Sequence, residues 1–198
     1  MAKNKEEKII EDYIINSAKI IEKSISLIPD IERTINAITK CLKNGKKVIT
    51  FGNGGSAVDA QHIAAELIGR FRIERQSFPA LSLTTDSAVL TSLSNDYSYD
   101  IVFSRQCEGL VSSGDVVIGI STSGKSVNVK KGLELAKKKN AVTIGLLGNK
   151  GGQIKKIVDI PIIVNSTSTP KIQEVHRVIY HIICERVEKN LTIRKIGK

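Results

Sequence analysis

The chain has no tryptophan and one methionine, and aromatic residues make up only 4% of its 198 positions. Its three cysteines, Cys41, Cys107 and Cys184, lie far apart and form no C-x-x-C pair. That excludes a disulfide framework and suits reduced thiols in a cytoplasm. No apolar run approaches the ~20 residues that a membrane span needs. The charged start, Met1-Ala2-Lys3-Asn4-Lys5-Glu6-Glu7-Lys8, has no apolar stretch behind it, so no signal peptide is read there. A cytoplasmic protein with no membrane partner is the expectation. The shortage of aromatics also bears on the charge. The formal net charge is +10, from 30 basic against 20 acidic residues. Such a balance alone would suit nucleic acid. Here the lysines are dispersed and no aromatics alternate with them, so no base-stacking platform is visible. A field that draws in an anionic metabolite, or a surface that lysine keeps soluble, accounts for the charge as well, and no nucleic-acid partner is expected.

What remains is ordinary for a globular chain: 41% hydrophobic and 25% charged residues. Ile10, Ile14, Ala18, Ile21, Ile25 and Ile28, then Ile31, Ile35, Ile38 and Leu42, keep helical spacing. Pro29-Asp30 interrupts the run, which predicts two helices between about 8 and 43. Ile9, Tyr13 and Ile20 broaden the first apolar face, and such a face packs on the main domain or on another copy of the chain. Strands are predicted at 47–51, 80–83, 116–120, 142–147 and 160–164. Most are nearly continuous apolar runs, as in parallel strands buried on both faces. Helices are predicted near 57–69, 87–93, 101–110, 126–139 and 152–157. A last helix should run over 170–189, with Pro170 at its first position and Thr169 as cap. Strands alternating with helices make an α/β fold, an open five-stranded parallel sheet with helices on both faces. The organisation read from this is a helical segment over 1–44, one domain over 45–190 and a basic tail over 191–198.

One stretch organises the rest. Val48-Ile49-Thr50-Phe51-Gly52-Asn53-Gly54-Gly55-Ser56-Ala57 reads as a strand, a glycine turn and a helix start. Free backbone N–H groups at such a helix start bind anions. The following helix carries His62 and Glu66, four apart and so on one face. A second small-residue loop, Ser121-Thr122-Ser123-Gly124-Lys125-Ser126, leaves the third predicted strand. If the first and third strands are neighbours, ligands bind where the order reverses and both loops face one crevice. Each loop also fits a nucleotide pattern: Gly52 to Ala57 matches G-x-G-x-x-A, with Asp86 near the second strand end, and Gly119 to Ser126 matches G-x-x-x-x-G-K-S. Two nucleotide motifs on one small sheet are not expected together. The second match follows the third strand, and no magnesium-binding aspartate at a later strand end supports it. Two plain tight turns are the remaining reading, and the matching places of the loops count against it. Between them, Thr84-Thr85-Asp86-Ser87 and Ser94-Asn95-Asp96-Tyr97 carry turn-forming residues.

The histidines offer a metal site. Gln173 and His181 are eight apart on the last predicted helix, two turns plus about 80°. His62, Glu66, Gln173 and His181 together offer two nitrogens and two oxygens, a set zinc accepts. The alternative is that these are ordinary polar residues on two helices. His176 reads as a structural histidine.

The combination Gly52-Asn53-Gly54-Gly55-Ser56, His62-x3-Glu66, Asn95-Asp96, Gly119 to Ser126, and Gln173-Glu174-x-His176-x4-His181 resembles the phosphoheptose isomerases of the sugar-isomerase (SIS) family. The similarity covers nearly the whole chain. The serine loop is shared widely among SIS proteins, whereas the His62/Glu66 and Gln173/His181 pairs are specific to the heptose enzymes. The resemblance implies a three-layer α/β/α flavodoxin-like domain with N-terminal helices, in a homotetramer with active sites between subunits. It implies conversion of sedoheptulose 7-phosphate to D-glycero-D-manno-heptose 7-phosphate through an enediol, the first step towards nucleotide-activated heptose for lipopolysaccharide or capsule. It implies one zinc ion per subunit on His62, Glu66, Gln173 and His181. Substrate contacts carry over to Asn53, Gly54, Gly55, Ser56, Glu66, Asn95, Asp96, Ser121, Thr122, Ser123, Ser126 and Gln173, with Glu66 and His181 as catalytic residues. Two departures stand out: Lys125 where the family often has asparagine, and Pro170 where members often carry an acid. The other class of function open to such a chain is a non-catalytic SIS module that binds a sugar phosphate or a replication-initiator protein. It would have no use for the metal quartet.

Overall fold

The computed structural model describes residues 4–192. The first helix, α1 (Lys5–Lys23), starts at a capping box in which the Asn4 side chain accepts from the Glu7 N–H and the Glu7 carboxylate accepts from the Asn4 N–H, both at 2.8 Å. A 3₁₀ turn over Ser24–Leu27 separates it from α2 (Ile28–Lys43). The break therefore falls before Pro29, not at it. Pro29 lies in the first turn of α2, where its missing N–H has no partner to lose.

Five strands follow: β1 (Val48–Gly52), β2 (Ala80–Ser82), β3 (Val116–Ser121), β4 (Val142–Gly148) and β5 (Ile160–Val164). All pair in parallel, in the order β2-β1-β3-β4-β5. This is the doubly wound order 2-1-3-4-5, and it reverses between β1 and β3. The helices between the strands are α3 (Gly55–Ile68), α4 (Ser87–Asp96), α5 (Val102–Leu110) and α6 (Val127–Lys138), and α7 (Thr169–Thr192) closes the fold. Thr169 is inside that last helix and Pro170 in its first turn. No α-helix forms over 152–157. Two 3₁₀ turns, Asn149–Gly151 and Ile154–Lys156, stand there instead, because Lys150, Gly151 and Gly152 all have positive φ and cannot continue a helix. Of the expected tail, Leu191 and Thr192 belong to α7 and 193–198 lie outside the described residues.

The pleat sorts the apolar residues to two faces. Val48, Val116, Ile118, Ile144 and Ile162 pack with α2, α3 and α7, while Ile49, Phe51 and Val117 pack with α5 and α6. The three layers are thus α2/α3/α7, the sheet, and α5/α6. One consequence places the candidate site: α3 and α7 lie side by side on the same face. Thr50 helps fix α3 there, its buried hydroxyl donating to the Ala60 carbonyl at 2.7 Å. By contrast, α1 contributes no buried residue. Ile9, Ile10, Tyr13, Ile14 and Ile21 stay exposed along it.

Candidate active site

The side-by-side helices bring His62 and Glu66 of α3 up to His181 of α7. One ligating atom from each lies within 4.8 Å of the others. The His62 and His181 ring centres are 5.1 Å apart, and His62 Nε2 is 2.9 Å from Glu66 Oε1. All three are half-buried. Burial, and after it the nearby His62, hold the His181 ring below the ordinary histidine range, so it is neutral at pH 7, the form that ligates a metal.

Behind His62 stands a second row of groups. The Tyr180 hydroxyl is 2.9 Å from His62 Nδ1 and 3.4 Å from Asp59 Oδ1. Asp59 is buried and Arg177 donates to it at 3.3 Å. Burial raises the Asp59 carboxyl, and the Arg177 hydrogen bond and charge oppose that rise only in part. Burial pushes the Tyr180 phenol up to about 12. Its single hydrogen can go two ways. Given to His62, it leaves the proton on Nε2, which then donates to Glu66. Given to Asp59, it leaves His62 Nδ1 as the donor to Tyr180 and turns an Nε2 lone pair on the Glu66 oxygen. Two lone pairs 2.9 Å apart need a cation between them. The second arrangement is the ligating one, and the donor set of two imidazoles and a carboxylate fits a divalent metal.

Gln173 lies two turns before His181 and points at the glycine turn. Its side-chain amide occupies the space that a Cβ on Gly55 would need. A side chain there would have to push aside the flexible end of Gln173, which lies against the start of α3. Gln173 thus links the helix of His181 to the glycine turn.

The glycine turn follows β1 and the serine loop follows β3, so the two stand together at the strand-order reversal. In the serine loop, the Ser121 and Ser126 hydroxyls are 2.9 Å apart and Ser121 to Ser123 is 3.5 Å. Gly124 has φ +65°, and any side chain on it would strike the backbone of Gly151 and Gly152. The Ile154 N–H donates to the Gly124 carbonyl at 3.2 Å. The irregular stretch after β4 therefore serves as a brace for the loop. Thr122 is half-buried, and Ser56 is buried in the first turn of α3. Asn95 and Asp96 end α4, exposed, with the Asn95 amide donating to Asp96 at 2.9 Å. No hydrogen bond among the described residues joins them to either loop within the single chain. Asp86 caps α4 by accepting from the Val89 N–H at 3.0 Å, which accounts for it without any dinucleotide. His176 is fully buried, its Nε2 3.0 Å from the Leu147 carbonyl oxygen. Burial lowers it to about 4, a neutral structural ring.

Sequence reasoning missed Asp59, Tyr180, Asn128 and Tyr99. Asp59 had a signal in hindsight, one turn before His62 on the same helix. Asn128 and Tyr99 had none, since they act through contacts 75 and 46 residues away along the chain.

Comparison with known proteins shows the family and the fold. The SIS domain family profile matches residues 12–148. The chain is 51% identical over 168 residues to a phosphoheptose isomerase of Citrifermentans bemidjiense, covering 85% of this chain and 88% of that one. Among solved structures it superposes on a phosphoheptose isomerase from Neisseria gonorrhoeae with a TM-score of 0.88 and 34% identity, over 92% of this chain and 98% of that one. A phosphoheptose isomerase from Francisella tularensis gives a TM-score of 0.90 and 33% identity, over 94% and 100%.

Proposed function

Because the chain belongs to the phosphoheptose isomerase family of SIS-domain proteins, we propose that it isomerises sedoheptulose 7-phosphate to D-glycero-D-manno-heptose 7-phosphate. That places it at the first step towards nucleotide-activated heptose for lipopolysaccharide or capsule. The observation that carries the reading is the His62–Glu66–His181 cluster on two adjacent helices that both reach the glycine turn. A module that only bound sugar phosphates would not need it.

The chemistry moves hydrogen between C1 and C2 of the sugar. The serine loop, Ser121 to Ser126, together with Lys125, takes the remote phosphate through backbone N–H groups, hydroxyls and charge. Its binding energy positions the reacting end. Glu66 removes a proton from C1 and returns it to C2, and His181 handles the proton that passes from O1 to O2. His62, Glu66, Gln173 and His181 would hold zinc, which when bound supplies a Lewis acid for the oxygens at C1 and C2. Glu66 then has two duties, and a carboxylate held tightly by an ion is the weaker base. Asn53, Gly54, Gly55, Ser56, Asn95 and Asp96 complete the substrate contacts. The exposed end of α4 takes part when a neighbouring subunit closes the pocket. The bare apolar face of α1 fits the same assembly, a homotetramer in which the helical segment 1–44 packs both on the domain and at the oligomer interface.

The test is turnover of sedoheptulose 7-phosphate before and after chelation. Activity should fall about 100-fold or more on chelation and return with zinc. Undiminished turnover without metal would remove the ion from the reaction. No turnover under any metal condition, with sugar phosphate still bound, would favour the non-catalytic module.

A further inference from the structure

Asn53 sits in the glycine turn, and its side chain is held from two directions. Asn128 Nδ2 donates to Asn53 Oδ1 at 3.0 Å, and Asn53 Nδ2 donates to Asn128 Oδ1 at 2.8 Å. The Tyr99 hydroxyl donates to the same Asn53 Oδ1 at 2.9 Å. Which end of each amide is oxygen follows from the donors. The Val129 N–H lies 2.9 Å from Asn128 Oδ1 and can only donate, so that atom is the carbonyl oxygen. The other end of Asn128 is then NH₂, which fixes Asn53 Oδ1 as its acceptor and makes the Tyr99 hydroxyl a donor. Both lone pairs of Asn53 Oδ1 are thereby used. One of its two Nδ2 hydrogens is used as well, and one is left.

Asn128 is buried (3% exposed) in the first turn of α6, directly after the serine loop. The pair therefore clamps the glycine turn to the serine loop across the β1–β3 crevice. Tyr99 comes from the 3₁₀ turn between α4 and α5 and is exposed. Rotating the Asn53 amide by half a turn would set NH₂ against NH₂ and against the phenol hydrogen. That rotation is blocked as long as both partners stay.

We propose that Asn128 and Tyr99 are positioning residues for substrate binding. By saturating the Asn53 carbonyl they hold its amide so that the turn offers a neutral N–H donor, never an acceptor, to an oxygen of the bound sugar phosphate. This rests on the crevice being the sugar-phosphate site. The arrangement favours a ligand that brings acceptor oxygens, as a phosphate ester does.

The experiment is a double-mutant cycle read by calorimetric binding of sedoheptulose 7-phosphate, with steady-state kinetics on the same proteins. Tyr99→Phe keeps the ring on an exposed position and removes only the donor. It should weaken binding about fivefold, the worth of one net hydrogen bond, and raise KM more than it lowers kcat. In an Asn53→Ala background the same change should weaken binding less than twofold, because Tyr99 acts through Asn53. Asn128→Asp, which sets an oxygen against Asn53 Oδ1, should weaken binding more than Tyr99→Phe does. An unchanged Kd in Tyr99→Phe would overturn the proposal. So would an equal loss in both backgrounds, which would mean that Tyr99 meets the ligand directly. A wild type that binds the sugar phosphate without isomerising it removes the proposed activity and leaves this inference to be decided by the Kd values. A wild type that does not bind it overturns both.

Discussion

Glu66→Gln should lower kcat for sedoheptulose 7-phosphate by about 10³-fold while the sugar phosphate still binds. Glutamine matches glutamate in volume and keeps a carbonyl oxygen, so the half-buried site on α3 should pack as before. What it loses is the ability to accept a proton and one negative charge beside His62, whose Nε2 is 2.9 Å from the carboxylate. Proton transfer by a positioned side chain accounts for about 10²–10⁴ in rate. The serine loop lies on the other side of the crevice, with its own hydroxyl network and its own brace on Gly151 and Gly152. Affinity carried by the phosphate should therefore persist. Steady-state turnover together with calorimetry on one preparation separates the two quantities. Turnover within a few-fold of wild type would take Glu66 out of the proton transfer.

The largest effect on stability should come from Glu188→Ala, a loss of about 3–5 kcal/mol and a drop in Tm of about 10 °C. Glu188 is on α7, 1% exposed, and accepts from the N–H groups of Phe71 and Arg72 at 2.8 Å, of Ile73 at 2.9 Å and from Arg75 Nε at 3.1 Å. The Arg75 side chain is 5% exposed and also donates to the carbonyls of Glu66, Leu67 and Gly69. Alanine would leave a buried cation and several N–H groups without their acceptor. The damage should reach the metal cluster, because the Phe71 ring packs 5.8 Å from His181. Apparent metal affinity should fall along with Tm. The pH dependence has a definite sign. Burial alone would raise the Glu188 carboxyl, but the three N–H groups and Arg75 outweigh it and hold it below the ordinary glutamate value of 4.5. A carboxyl depressed in the folded state stabilises the protein above its unfolded value, and that contribution disappears as pH falls through the folded one. The gap in thermal stability between wild type and Glu188→Ala should therefore be full above about pH 4.5 and narrow below it. A gap that stays the same down to acid pH would show that the carboxylate's charge plays no part.

The fold was readable wherever burial imposes a period. β1, β3 and β4 are enclosed on both faces and show it as nearly continuous apolar runs, with Thr50 and Thr143 the polar residues inside β1 and β4. The helix boundaries went astray where backbone conformation overrode composition. Pro29 belongs to the first turn of α2, a position that tolerates proline, so a break read from the proline falls some residues late. The stretch after Gly148 has enough apolar residues for a helix, but Gly151 and Gly152 are committed to the serine loop, against Gly124. In the site, His62 and Glu66 were legible because they are local, and His181 because its helix spacing is. Its meeting with them depends on α3 and α7 sharing a face, which follows from the strand order. The groups behind the site were not legible. Tyr180 reaches His62 across 118 residues, and Glu188 reaches the Phe71 loop across 117. A buried tyrosine or glutamate on an amphipathic helix has the same sequence pattern whether or not it meets such a partner.

In the proposed function, two helices from opposite ends of the domain share one divalent ion beside a sugar-phosphate crevice. Crystals grown with zinc and measured at the zinc absorption edge test it most directly. The account predicts an anomalous peak within about 2.0–2.2 Å of His62, Glu66 and His181, with the Gln173 amide turned to it. A site without that peak, or a His181 ring turned away from His62 and Glu66 in every subunit, would contradict it.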